Sequence, residues 1–161
     1  MKKQLQTQPT VKTPRLTIYP LSDPEMQTLI QTEQDPEMKQ AYTEMYEGCK
    51  QNPDKRIWNA VWNMQLNEDM KTIVGDLSFK GLSSDGSVEI GYGIKKEFEG
   101  QGYMTEAVTA MAKWASEQDG VKHVEAETEV ENKASKRVLE KAGFHPNGVM
   151  GAEGPRFEWK K

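Results

Sequence analysis

Between Trp58 and Ile94 apolar and polar positions alternate in three successive runs. Trp58, Ala60, Trp62, Met64 and Leu66 form the first, Ile73, Gly75, Leu77 and Phe79 the second, and Val88, Ile90, Tyr92 and Ile94 the third. A period of two places every second side chain on one face, so each run predicts a strand with one apolar side. Asn67-Glu68-Asp69 and Ser83-Ser84-Asp85-Gly86 are polar turns between the runs, and the three strands read as an antiparallel meander.

On either side the spacing becomes helical. An initial strand, Val11 to Tyr19, precedes two candidate helix starts, Asp23-Pro24 and Asp35-Pro36, each an N-cap type followed by proline. Met26, Leu29 and Ile30 follow the first, and Met38, Ala41, Tyr42, Met45 and Cys49 make an apolar stripe after the second. Beyond the meander, Met104, Ala107, Val108, Met111 and Ala115 predict a long helix closed by Asp119-Gly120. Val121 to Thr128 reads as a strand. Asn132 starts a second helix, with Ala134, Val138, Leu139 and Ala142 inward and Gly143 as its C-cap. Two short strands around Val149 and Phe157–Trp159 complete the order β-α-α-β-β-β-α-β-α-β-β, an α+β arrangement.

Composition narrows the class. A chain of 161 residues is the size of one compact domain, with residues 1–10 as a flexible arm and 11–161 as the folded unit. It is 35% hydrophobic and 29% charged, a globular balance. A single cysteine, Cys49, allows no internal disulfide, and with His123 and His145 far apart no metal site is expected. These features suit a reducing cytoplasm. The opening MKKQLQTQPTVK lacks the apolar run of a signal peptide, and no stretch is long enough to span a membrane. The net charge of −4 argues against nucleic acid as partner and suits a cationic substrate. The sequence leaves the oligomeric state open, a homodimer included.

The stretch Glu89–Thr105, EIGYGIKKEFEGQGYMT, carries the chemistry. A strand runs into a glycine-containing turn that opens a helix. The first N–H groups of a helix lack internal partners and carry partial positive charge. Glycines let backbone approach an anion closely, so the three features together form a phosphate cradle. On its own the signal is weak, because two glycines before a helix are more often just a tight turn. The GxxxxGK nucleotide loop and the GxGxxG dinucleotide fingerprint are both absent.

Glu99–Met104, EGQGYM, resembles the pyrophosphate loop of the GNAT N-acetyltransferases, Gln/Arg-x-x-Gly-x-Gly/Ala. The flanks EIGYGI and GYMTEA are similar to its Rim-type branch, the relatives of the ribosomal-protein N-terminal acetyltransferases. So are Asn132–Phe144, NKASKRVLEKAGF, and the early TPRLTIYPLS. The resemblance implies an α/β/α fold with a central mixed, mostly antiparallel twisted sheet flanked by helices, its fourth and fifth strands splayed. It implies acetyl-CoA as co-substrate and no metal. The CoA contacts would come from Tyr92, Ile94, Glu99, Gly100, Gln101, Gly102, Tyr103, Met104, Thr105, Asn132 and Ser135, with pantetheine pairing along the fourth strand near Ile94. Three positions depart from the family pattern. Glu99 stands where the loop has Gln or Arg, with Lys95 and Lys96 nearby to offset its charge. Met104 replaces a small residue, which suits a side chain turned into the helix core. Leu139 stands where many members carry a general-acid tyrosine.

Candidate catalytic residues have two readings each. Alternation puts Glu89 on the face of Gly91 and Gly93, an open acidic trough; it is a solvated strand residue or the base that deprotonates an ammonium, directly or through water. Asn132 is an N-cap and, by resemblance, a pantetheine contact. Ser135 sits three residues on and by resemblance protonates the leaving thiolate. His123 reads as a surface residue, His145 as structural and Cys49 as core. Trp62 is core or part of an acceptor pocket. Glu125, Glu127, Glu129 and Glu131 are a solvated face or an attractor for a cationic acceptor. The expected activity is acetyl transfer to a primary amine, a protein N-terminus or a small molecule, by direct attack without an acyl-enzyme. A non-catalytic acyl-CoA sensor on the same fold and a plain interaction domain are the alternatives.

Overall fold

The computed structural model describes residues 8–160. Residues 1–7 of the expected arm lie outside the described residues, and residues 8–10 carry no regular structure. The first predicted strand is two, β1 (Val11–Lys12) and β2 (Leu16–Pro20), paired antiparallel with each other. Helices α1 (Asp23–Thr32) and α2 (Pro36–Gln51) follow. Asp35 caps α2 as expected, its side chain accepting from the Glu37 N–H. For α1 the cap is Ser22 rather than Asp23. Ser22 and Glu25 exchange side-chain bonds with each other's backbone N–H in a capping box.

The meander is β3 (Trp62–Leu66), β4 (Ile73–Ser78) and a third run divided at Ile90 into β5 (Ser87–Glu89) and β6 (Gly91–Ile94). Trp58 and Ala60 are buried like strand residues but belong to a 3₁₀ turn, Pro53–Trp58, and the link after it. Helix α3 (Tyr103–Ser116) ends before the Asp119-Gly120 turn. Then come β7 (His123–Glu127), α4 (Lys133–Ala142), β8 (Phe144–Met150) and β9 (Pro155–Trp159). The strands form two sheets, ordered β1-β2-β3-β4-β6 and β5-β7-β9-β8. All named pairings are antiparallel except β5 with β7. The result is a mixed, mostly antiparallel sheet system flanked by helices.

The core joins both sheets to α3 and α4. Trp62, Phe79, Met111, Leu139 and Phe144 are all nearly or fully buried. Phe79 is the hub, its ring centroid 5.1 Å from Trp58 and 6.1 Å from both Trp62 and Trp114. Trp62 is fully buried, and its indole N–H donates to the Ile57 carbonyl at 2.9 Å, which assigns it to the core. A second cluster, Leu21, Met26, Tyr42, Cys49, Ala60 and Val61, seats α1 and α2 on the opposite face of the first sheet. Phe79→Ala would leave a cavity among three tryptophans and is expected to cost about 3–5 kcal/mol of unfolding free energy, measured by urea denaturation.

Candidate active site

The site begins where one strand changes neighbours. Over Ser87–Glu89 the chain pairs parallel with β7. The Ile90 N–H still donates to the Glu125 carbonyl at 2.8 Å. From Gly91 onward it pairs with β4 alone, with Gly93 opposite Asp76 and Tyr92 opposite Leu77. This is the splay that the resemblance implies. The Lys95 N–H turns toward β4, bonding Val74 at 2.8 Å. Backbone direction alternates along a strand, so Gly91 and Gly93 also face β4. Tyr92 and Ile94 therefore turn their N–H and C=O groups into the gap.

Facing that gap is the start of α3. Gly100 and Gly102 have φ of +77° and +84°, where a side chain is strained. A Cβ at Gly100 would meet nothing within 4 Å, so the backbone there is open to a ligand. Gly102 is the N-cap of α3, and no side chain caps its first N–H groups. The loop is braced from behind by Arg15. Its Nε donates to Glu106 Oε1 at 2.8 Å, its Nη1 to the Gln101 carbonyl at 3.0 Å, and its guanidinium lies 4.2 Å from the Tyr103 ring centroid. Met104 turns inward and is buried, as its replacement of a small residue requires.

Helix α4 supplies the third wall. Asn132 caps it, Oδ1 accepting from the Ser135 N–H at 3.0 Å. The Ser135 hydroxyl lies 2.8 Å from the Tyr92 hydroxyl, across the mouth of the splay. Burial pushes the Tyr92 phenol up, and its bond to Ser135 offsets only part of that, so the ring stays protonated. Leu139 is fully buried and presents no hydroxyl. The three walls enclose a hollow of about 740 Å³. Every residue expected to touch CoA lines it except Gln101, whose side chain folds back onto the Glu97 carbonyl. Two lining cations, Arg137 and Lys141, were not singled out from the sequence. Their spacing of four, in phase with Ala134 and Val138, was the available signal.

Glu89 lies elsewhere. It lines a separate hollow of about 240 Å³ with Lys80, Glu125 and Arg156. Lys80 Nζ and Arg156 Nη2 each approach it to 3.0 Å, and Arg156 also pairs with Glu125 and Glu127. Burial pushes the Glu89 carboxyl up, but the two cations outweigh it and hold the group below the ordinary carboxylate range. A carboxylate in that state is a weaker base than the sequence reading requires. His123 is exposed enough to pair with Glu158 at the surface, and His145 is exposed on β8. Cys49 is buried. Among the described residues, no group of three or more His, Cys, Asp or Glu is placed to hold a metal, and no helix is long and apolar enough to cross a membrane.

A depressed folded pKa makes a stabilising contribution that is complete above the unfolded value, near 4.3 for Glu, and is lost as pH falls through the folded value. Glu89→Gln is therefore expected to flatten the loss of thermal stability on acidification below about pH 4, read from melting curves at stepped pH.

Residues 11–145 match the model of the acetyltransferase (GNAT) domain family. The uncharacterized N-acetyltransferase YjdG of Bacillus subtilis (strain 168) is 34% identical over 80 residues, which span 49% of this chain and 48% of that protein. An acetyltransferase structure from Agrobacterium tumefaciens str. C58 superposes with a TM-score of 0.72 at 18% identity, covering 100% of this chain and 99% of the other. RimL, a ribosomal L7/L12 alpha-N-protein acetyltransferase solved with coenzyme A, shares the fold at a TM-score of 0.70 and 16% identity, covering 93% and 95%. With the family match extending over most of the sequence, the splayed strand and the glycine-opened helix behind it, the chain belongs to the acetyltransferase (GNAT) domain family.

Proposed function

We propose that the large hollow binds acetyl-CoA and that the protein transfers the acetyl group directly to a primary amine, either a protein N-terminus or a small molecule. The observation that carries this is the convergence, in one hollow, of an unpaired strand edge, an uncapped helix start and a hydroxyl pair. The α3 N–H groups, from Gly102 onward, meet the pyrophosphate. Arg137 and Lys141 add positive charge and offset Glu99. Pantetheine lies along β6, exchanging amide hydrogen bonds with Tyr92 and Ile94 as an added strand does. This places the thioester near the mouth of the splay, where Ser135 and Tyr92 meet.

In the transfer, the neutral amine attacks the acetyl carbonyl, a C–N bond forms, the C–S bond breaks, and the thiolate takes up a proton. An N–H on the β6 edge stabilises the developing oxyanion. The proton that nitrogen gives up as the amide forms reaches sulfur through the Tyr92–Ser135 hydroxyl pair, each hydroxyl taking one proton as it passes one on, so both end protonated. This pair, Ser135 on α4 and Tyr92 on β6, takes the role that Leu139 leaves empty. Glu99 beside the phosphate site and the buried Leu139 favour a second reading, a CoA-binding sensor without turnover. An acetyl-CoA turnover screen against amines and peptides with free N-termini separates the two readings: release of CoA thiol with any acceptor excludes the sensor.

Two substitutions test the assignments. Gly102→Val forces a branched side chain into a left-handed backbone next to the phosphate site. CoA affinity by calorimetry is expected to fall at least about tenfold, roughly 1.4 kcal/mol. Ser135→Ala leaves the Asn132 cap in place, since the bond it donates there is from backbone. Its melting temperature and CoA affinity should stay close to wild type while kcat falls about tenfold, and Tyr92→Phe should show a smaller fall of the same kind. A loss of stability with an unchanged rate would assign Ser135 a structural role.

A further inference from the structure

The face of β6 turned away from the large hollow holds a carboxylate that the transfer chemistry leaves unused. Asp76 stands on β4 directly opposite Gly93. Cross-strand partners project from the same face of a sheet, so Asp76, Gly91 and Gly93 share one. A Cβ at Gly91 would meet the Lys80 side chain at 3.3 Å, whereas one at Gly93 would meet nothing within 4 Å. The surface is therefore covered at Gly91 and open at Gly93, beside Asp76. The carboxylate is fixed from above by α2, where the Tyr42 hydroxyl donates to Oδ2 at 2.8 Å. Among the described residues Oδ1 has no hydrogen-bond partner. Burial pushes the Asp76 carboxyl up, with the Tyr42 bond pulling it down; Glu33 and Lys95 are the other charges that reach it, and they oppose each other. Among the described residues no lysine or arginine is paired with Asp76, in contrast to Glu89 with its two.

Its position sets a distance. Strands lie about 4.8 Å apart. If pantetheine adds along the free edge of β6, it lies one spacing beyond β6, and Asp76 lies one spacing to the other side, roughly 10 Å away in all. That is too far for Asp76 to take a proton from the attacking nitrogen. Allowing a hydrogen bond of about 2.9 Å at the carboxylate leaves roughly 7 Å. An extended chain of about four carbons fills that length. We infer that Asp76, oriented by Tyr42, is a recognition site for a second positive charge on the acceptor, and that the preferred acceptor is a dication whose charged groups are about four carbons apart. The inference rests on the acetyl-transfer reading for the placement of pantetheine, and it deepens that reading by naming the acceptor class.

The test compares 1,4-diaminobutane with butylamine, each titrated calorimetrically into the full chain with and without saturating CoA. The wild type is expected to bind the diamine at least tenfold more tightly than the monoamine in the CoA complex. Asp76→Asn should remove that preference while CoA affinity stays unchanged. Tyr42→Phe keeps the carboxylate but removes its orienting donor, and should reduce the preference severalfold. Equal binding of the two amines by the wild type overturns the inference, as does a preference that survives Asp76→Asn or is undiminished in Tyr42→Phe, whether or not acetyl is transferred. A preference that depends on Asp76, with no acetyl turnover on any amine, upholds the recognition site and sinks the acetyl-transfer reading instead.

Discussion

The unpaired edge of β6 governs the arrangement around it. Backbone N–H and C=O groups are obligatory hydrogen-bonding groups, and leaving them without partners inside a fold is costly. Here the chain keeps its parallel partner through Ile90 and then loses it, while β4 continues to hold the other side. A sheet interrupted in this way cannot close over the gap, so water or a ligand must complete it. The start of α3, the N-terminal turn of α4 and the Tyr92–Ser135 pair are all disposed about the opening. The α3 start leaves its first N–H groups without a side-chain cap, and the Tyr92–Ser135 bond ties β6 to α4 across the mouth.

The same strand divides the charges. On the side of α3 and α4 the hollow offers helix N–H groups with Arg137 and Lys141, a field suited to phosphate. On the opposite side lie Asp76, Glu89, Glu125 and Glu127, with Arg156 and Lys80 neutralising part of the set. A net charge of −4 is therefore not spread evenly. An anion and a cation can approach the same short strand from opposite faces, each in a field of suitable sign.

Alternation located β3, β4 and the β5–β6 run because side-chain parity reports which face is buried. It did not reveal the break at Ile90, since Ile90 keeps its apolar parity while its backbone partner changes. Trp58 and Ala60 show the converse: they have the period of a strand, yet the first ends a 3₁₀ turn that begins at Pro53. The residues of the glycine loop at the start of α3 were visible because they are contiguous. The state of Glu89 was not, because it depends on Arg156, 67 residues away. Asp76 gave no signal at all. A polar residue in an alternating strand looks solvated until α2 is known to lay Tyr42 over it.

Arg15 holds Glu106 and Gln101 across about half of the chain, with sequence separations of 91 and 86 residues. Thr13 adds a further bond to Glu106 from the same hairpin. A loop held by such distant partners acquires its shape late, once the ends of that long segment have met, because closing it costs entropy before any contact rewards it. Partly folded chains would then possess helix α3 without a competent anion cradle. A ligand that recognises only the braced loop binds the native state alone, and by mass action it raises the free energy of global unfolding rather than of local fraying.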